Sequence, residues 1–313
     1  EGKLYKSAGG GTIVDGTGVP QYRADLGVKN GRVAKISGRI NAGGAKEIDA
    51  SGCIVAPGAI DLHTHYDSQI FWDPWCSISG WHGVTSVVLG NCGVTFAPVA
   101  PGGAAFLAEM MESVEDIPAQ SILDGLSWNW STYGEYLDEI AGLPKGVNVG
   151  GMVGHCAVRL AAMGERSLDE APATADDIAA MVPMVDEALA AGALGFSTSR
   201  THLHTVPDGR HVPGTNATAD ELLAFAEVLK RRGGVFESAP RLIGRDDPGE
   251  DSNRDEIHMY GDISRLAGCN VTFGLTQVDR VPDLHLRVLD AVEAENANGA
   301  RLRPQTTSRQ IGI

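Results

Sequence analysis

The sequence is short of basic residues. Its 313 positions hold 25 Lys and Arg against 40 Asp and Glu, a formal net charge of −15. That balance speaks against nucleic acid or an anionic membrane surface as the main partner. No apolar run approaches the ~20 residues that a membrane-spanning helix needs. The chain opens Glu1-Gly2-Lys3 without the apolar stretch of a signal peptide. Cysteine is scarce too: Cys53, Cys76, Cys92, Cys156 and Cys269 are widely separated and odd in number. Such spacing fits reduced thiols better than a disulfide framework. Aromatics make up only 6%, yet hydrophobic residues reach 43%, enough to offset the chain entropy that keeps polar sequences disordered. The expectation is a folded cytoplasmic protein, alone or as a homo-oligomer, whose partner is a small molecule.

Glycine is plentiful, with 40 residues, and implies many tight loops between short elements. Two textures divide the chain. Over residues 1–58 glycines and β-branched residues alternate, and Asn30-Gly31 sits between two apolar-alternating runs. That pair is a strong hairpin signal, so a small β-sandwich part is expected there, ending in Ile54-Val55-Ala56 before Pro57-Gly58. Over residues 59–313 strand, loop and helix repeat. Strands are expected at Ala59–Leu62, Ser86–Leu89, Val147–Val153, Gly192–Ser197, Gly234–Ser238, Val271–Thr276 and from about Leu302. Thr174 to Asp177 and Thr218 to Glu221 both have the capping-box form and should open helices. Further helices are expected over Ala104–Asp116 and Asp283–Asn298. Alternation of this kind means a parallel sheet covered by helices, an α/β fold. The G-x-G-x-x-G turn of the open nucleotide-binding version follows none of these strands. Polar residues instead recur at strand C-termini, where (β/α)8 TIM-like barrels place their chemistry. Seven strands fit before residue 313 and an eighth does not, so the barrel is expected to be incomplete in this chain.

The segment Ala59-Ile60-Asp61-Leu62-His63-Thr64-His65-Tyr66-Asp67 carries the most chemistry. Strand alternation puts His63 and His65 on one face, where two neutral imidazoles can reach one ion. Asp61 and Asp67 flank them as candidate acceptors for the ring N–H groups. Cys92 follows a buried strand in Leu89-Gly90-Asn91-Cys92-Gly93. Its spacing alone favours a small core residue over a soft third ligand. His155 lies at the end of the third strand candidate, with a substrate contact, a metal ligand or a structural hydrogen bond as its readings. Ser197, Ser199 and Arg200 end the fourth strand; an arginine there suits a substrate carboxylate, an ion pair being the other reading. His202, His204 and His211 in the following loop read as solvated. The run Asp246 to Asp251 reads as an acidic turn without calcium-binding spacing.

Residues 57–67 together with Leu-Gly-Asn-Cys-Gly at 89–93 resemble the N-acyl-D-amino-acid deacylase branch of the amidohydrolase superfamily. The likeness continues through Val114-Glu115-Asp116-Ile117-Pro118, Val153-Gly154-His155 with Arg159, Gly195 to Arg200, and Val206 to Thr215. The resemblance implies a distorted barrel beside a small β-sandwich and a centre of one or two Zn2+ ions held by His63, His65 and Cys92. It also implies a zinc-dependent hydrolase cleaving the amide bond of N-acyl-D-amino acids or related N-acyl compounds. Two departures stand out. Ala239 and Gln277 occupy the places where the family carries further histidine ligands. Glu237 shares strand parity with Ala239 and is a candidate metal ligand; a buried hydrogen-bonded glutamate is the other reading. The family's general base, an Asp after strand eight, has no counterpart before residue 313, so no catalytic acid or base is assigned. Two competing readings remain. One is a cyclic-amide hydrolase of hydantoin or dihydropyrimidine type, against which the absence of a lysine in Gly195–Arg200 counts. The other is a degenerate barrel that binds without catalysing.

Overall fold

Asn30 and Gly31 both adopt left-handed backbone, with φ of 53° and 72°, the geometry that a two-residue hairpin between right-twisted strands requires. They join β3 (Tyr22–Lys29) to β4 (Arg32–Ser37), which pair antiparallel. The computed structural model describes residues 5–8, 10–41, 46–169, 171–242 and 250–307. The chain divides into two units, the first ending at Ala59 and the second beginning at Ile60. In the first unit, β1 (Tyr5–Ala8), β2 (Gly11–Ile13), β5 (Lys46–Asp49) and β6 (Ile54–Val55) join this hairpin in one mixed sheet. Its order is β5-β1-β3-β2-β6, with β4 on β3. The carboxylate of Asp25, buried in β3, accepts the backbone N–H of Ile40 at 2.8 Å.

The second unit, from Ile60, is built on all but the first residue of β7 (Ala59–Asp61) and on β8 (Val84–Leu89), β9 (Asn148–Gly154), β10 (Gly195–Ser199), β11 (Val235–Ala239), β12 (Val271–Gly274) and β13 (Leu302–Gln305). They form one seven-stranded sheet in sequential order, and β8 through β13 pair in parallel. Neighbours in sequence are neighbours in space, the winding of a (β/α) barrel rather than of a sheet with a switch point. The connections carry α1 (Ser77–Trp81), α2 (Ala104–Glu115), α3 (Ala119–Gly125), α4 (Tyr133–Gly142), α5 (His155–Met163), α6 (Ala175–Ala191), α7 (Ala219–Arg232), α8 (Glu250–Ala267) and α9 (Leu284–Ala297).

Local chemistry explains the boundaries. Thr174 caps α6 through a reciprocal box with Asp177, whose carboxylate also holds Arg166 at 2.6 Å. Gly192, with φ of 115°, ends that helix, so β10 starts three residues later than the sequence suggests. Only half of the second box forms. Thr218 accepts from the Glu221 N–H, but the Glu221 carboxylate turns inward to His155 and Arg159. Met110 and Met111 of α2 are fully buried, and Trp130 donates to the Phe96 carbonyl at 2.7 Å, anchoring the long β8–β9 connection. The acidic run at 246–249 lies outside the described residues, while Glu250 and Asp251 begin α8.

Candidate metal centre

The site is assembled where β7 and β8 end. His63 and His65 follow β7 in extended chain, and their rings meet edge to face with centroids 5.4 Å apart. The loop after β8 brings Cys92 to them. Gly90, Cys92 and Gly93 all have positive φ, at 72°, 56° and 75°. A side chain at Gly90 would fall on the Met152 carbonyl oxygen, and one at Gly93 would meet the Ser199 nitrogen at 2.7 Å. Only glycine lets this turn press against β9 and β10. Cys92 is a non-glycine residue in left-handed backbone, a costly conformation that the packing around it must hold. Ser197 does part of the holding: its hydroxyl donates to the Gly90 carbonyl and accepts the Gly93 N–H at 3.0 Å.

The ligand atoms of His63, His65 and Cys92 lie within 4.8 Å of one another. Nε2 of His63 is 3.2 Å from the Cys92 sulfur, and its Nδ1 is 3.4 Å from Oε1 of Gln305. The Gln305 amide is oriented by its own donation to Thr272 at 2.7 Å. With Nδ1–H directed at Gln305, Nε2 is left bare toward the thiol. His65 has one nitrogen, Nε2, 3.6 Å from Glu115, while its Nδ1 is buried without a partner. Glu237 is fully buried on β11. Its Oε2 accepts the Cys92 N–H at 2.8 Å, and its Oε1 has no partner.

The electrostatics follow from burial without a cation. Burial, then the neighbouring His63 and His204, hold His65 down at about 3. Burial also lowers His63. It pushes Glu237 up to about 8 and raises the Cys92 thiol well above its ordinary value, with Glu237 adding to the latter. Imidazoles kept neutral are what a metal needs, and a cation among these groups would favour thiolate and carboxylate. The two orphaned buried atoms and the His/His/Cys donor set therefore fit a metal ion.

Several expectations need correcting. Asp61 and Asp67 do not take the ring protons: Asp61 accepts the His63 backbone N–H and Asp67 that of Gly90. Glu115 and Gln305 stand in their place. His155 does not end a strand but opens α5, and its ring is engaged by Thr198 and Glu221, each at 2.9 Å. It is wholly buried and is not among the clustered donors. Arg200 is buried with Nε on Glu256 at 2.7 Å and a second nitrogen on the Ala217 carbonyl, so its fork faces the protein. Ser199 reaches His204 Nδ1 at 2.9 Å. His204 is not a solvated loop residue: burial, then His63, holds it at about 4. A cavity of about 330 Å3 opens beside His65, lined by Thr64, Tyr66, Gln69, Ser79 and Glu115 among others.

The sequence profile of the amidohydrolase family matches residues 46–301. The chain belongs to the amidohydrolase family. Among curated amidohydrolase relatives, D-aminoacylase of Alcaligenes xylosoxydans xylosoxydans is 34% identical over 235 residues, 75% of this chain and 44% of that protein. The chain thus spans less than half the length of the curated relatives it matches first. Among solved structures, N-acyl-D-glutamate deacylase from Bordetella bronchiseptica, complexed with zinc and a phosphonate mimic of the tetrahedral intermediate, is 31% identical. It superposes with a TM-score of 0.75 over 97% of this chain and 58% of that one. An L-hydantoinase from Arthrobacter aurescens shares the fold, at a TM-score of 0.57 and 16% identity over 97% of this chain and 57% of that one. The incomplete TIM-like barrel with its N-terminal sheet is this amidohydrolase fold.

Proposed function

We propose that this chain carries the zinc centre of an amidohydrolase that cleaves the amide bond of N-acyl-D-amino acids. The observation that carries the reading is the convergence of His63, His65 and Cys92 within 4.8 Å. Two neutral imidazoles and a thiol that can ionise are a donor set suited to zinc. Glu237 lies outside that close set; its bare Oε1 makes it the candidate for a fourth donor, while its other oxygen holds the Cys92 backbone. When bound, the ion would polarise the amide carbonyl and lower the pKa of water.

The remaining work belongs to the chain. Gln305 fixes the His63 ring, and Glu115 stands beside His65. Ser197 keeps the Cys92 turn closed. Ser199 and His204 form a polar pair suited to contacting the substrate, and the cavity beside His65 gives the acyl compound room. His155 and Arg200 support these groups from behind through the Thr198 and Glu256 contacts. A single ion fits better than two, because Ala239 and Gln277 offer no imidazole. Linear N-acyl-D-amino acids are favoured over cyclic amides by the deacylase relatives and by a β10 segment without lysine. A cytoplasmic setting suits five free thiols.

The test is elemental analysis of the protein and of a His65→Ala variant, with amine release from N-acetyl-D-amino acids followed in parallel. About one zinc per chain, lost together with turnover in the variant, is expected. Zinc or turnover retained in His65→Ala refutes the reading.

A further inference from the structure

A second cavity, of about 500 Å3, lies between the 164–169 turn after α5 and the 208–216 loop after β10. It shares no lining residue with the metal donors or with the cavity beside His65. Three of its lining side chains hold buried polar atoms without a partner: Nε of Arg159, the hydroxyl of Ser167 and Nδ1 of His211. Arg159 and Ser167 are 2% and 3% exposed. Buried polar atoms are rarely left unmet, so three around one cavity point to something that meets them. The Arg159 guanidinium is half engaged, one terminal nitrogen lying 3.3 Å from Glu221, and its Nε–H remains for an oxygen acceptor.

The charge around the cavity narrows the choice. The rim carries Asp208, paired with Arg210 at 2.7 Å, and the exposed Asp169. Among the lining side chains Arg159 and Arg210 balance Asp169 and Asp208, with Glu221 behind Arg159. A bare anion would bring its charge beside Asp169 and Asp208 and leave both without a new partner. A bare cation would leave the Arg159 and Ser167 donors unmet. A ligand with a carboxylate at one end and an ammonium at the other answers both sets of groups. We infer that this cavity binds a free α-amino acid as its zwitterion, carboxylate on Arg159 and Ser167, ammonium toward Asp169.

The inference does not rest on the hydrolase reading, since it uses none of that site's residues. It is tested by calorimetric titration of the zinc-loaded and the zinc-stripped protein with glycine, acetate and methylamine. Glycine should bind in both forms. Acetate and methylamine should each bind about tenfold more weakly or worse, each lacking one charge-assisted contact. Ser167→Ala and Asp169→Asn, a buried turn residue and an exposed rim residue, should each weaken glycine severalfold while leaving zinc content unchanged. Equal affinity for acetate and glycine overturns the zwitterion. Glycine binding that vanishes with zinc and ignores both variants assigns it to the metal centre and overturns the site. The absence of glycine binding in the millimolar range overturns it as well.

Discussion

Gly90→Ala separates the conformational demand of the Cys92 turn from its contact demand. Gly90 sits at φ 72°, and an alanine there pays ~1–2 kcal/mol for left-handed backbone. It also places a methyl group on the Met152 carbonyl oxygen, with the Thr95 methyl 3.0 Å away. Backbone of a central strand yields little, so overpacking adds ~1–3 kcal/mol. Gly102 is the control: its φ is 83°, and a Cβ there meets nothing within 4 Å. Both variants gain a similar small stabilisation from the stiffer unfolded chain, which cancels in the comparison. Gly90→Ala should therefore be destabilised by ~2–5 kcal/mol against ~1–2 for Gly102→Ala. Because the same turn aims Cys92, zinc should fall well below one per chain in the first variant and stay unchanged in the second. Denaturant midpoints and elemental analysis of both proteins decide the matter. Equal midpoints, or full zinc in Gly90→Ala, would refute the claim that close approach of this turn to β9 builds the site.

Other outcomes follow from the same contacts. Glu237→Gln keeps an acceptor for the Cys92 N–H but removes the carboxylate, so zinc affinity, measured by competition with a chelator, should drop ~10- to 100-fold with folding intact. Glu221→Ala strands Arg159 as a buried charge and should cost ~3–5 kcal/mol by denaturation. Asp177 is held at about 2, first by Arg166 and then by Thr174, against 3.8 for the unfolded group. Its folded pKa is the lower one, so its contribution is complete above 3.8 and is lost as pH falls toward 2. Asp177→Asn should flatten the acid limb of a stability–pH profile in that window and leave the shape above pH 5 unchanged.

The alternation of strand and helix, the Asn30-Gly31 hairpin and the capped starts of α6 and α7 were all legible in the sequence. Each is a local choice set by backbone preference and hydrophobic period within a few residues. The spacing of His63 and His65 was legible for the same reason: two residues apart in extended chain, they face one way. Cys92 became a ligand candidate only by resemblance, because what makes it one is a left-handed turn wedged against β9 and β10. Tertiary structure alone decided the rest. Glu115, Gln305 and His204 lie 50, 242 and 139 positions from the histidines they face, and no local pattern marks such pairings. Glu221 shows the two levels in competition. Its sequence asks for a capping box, but the buried His155 and Arg159 offer stronger partners, and the carboxylate turns to them.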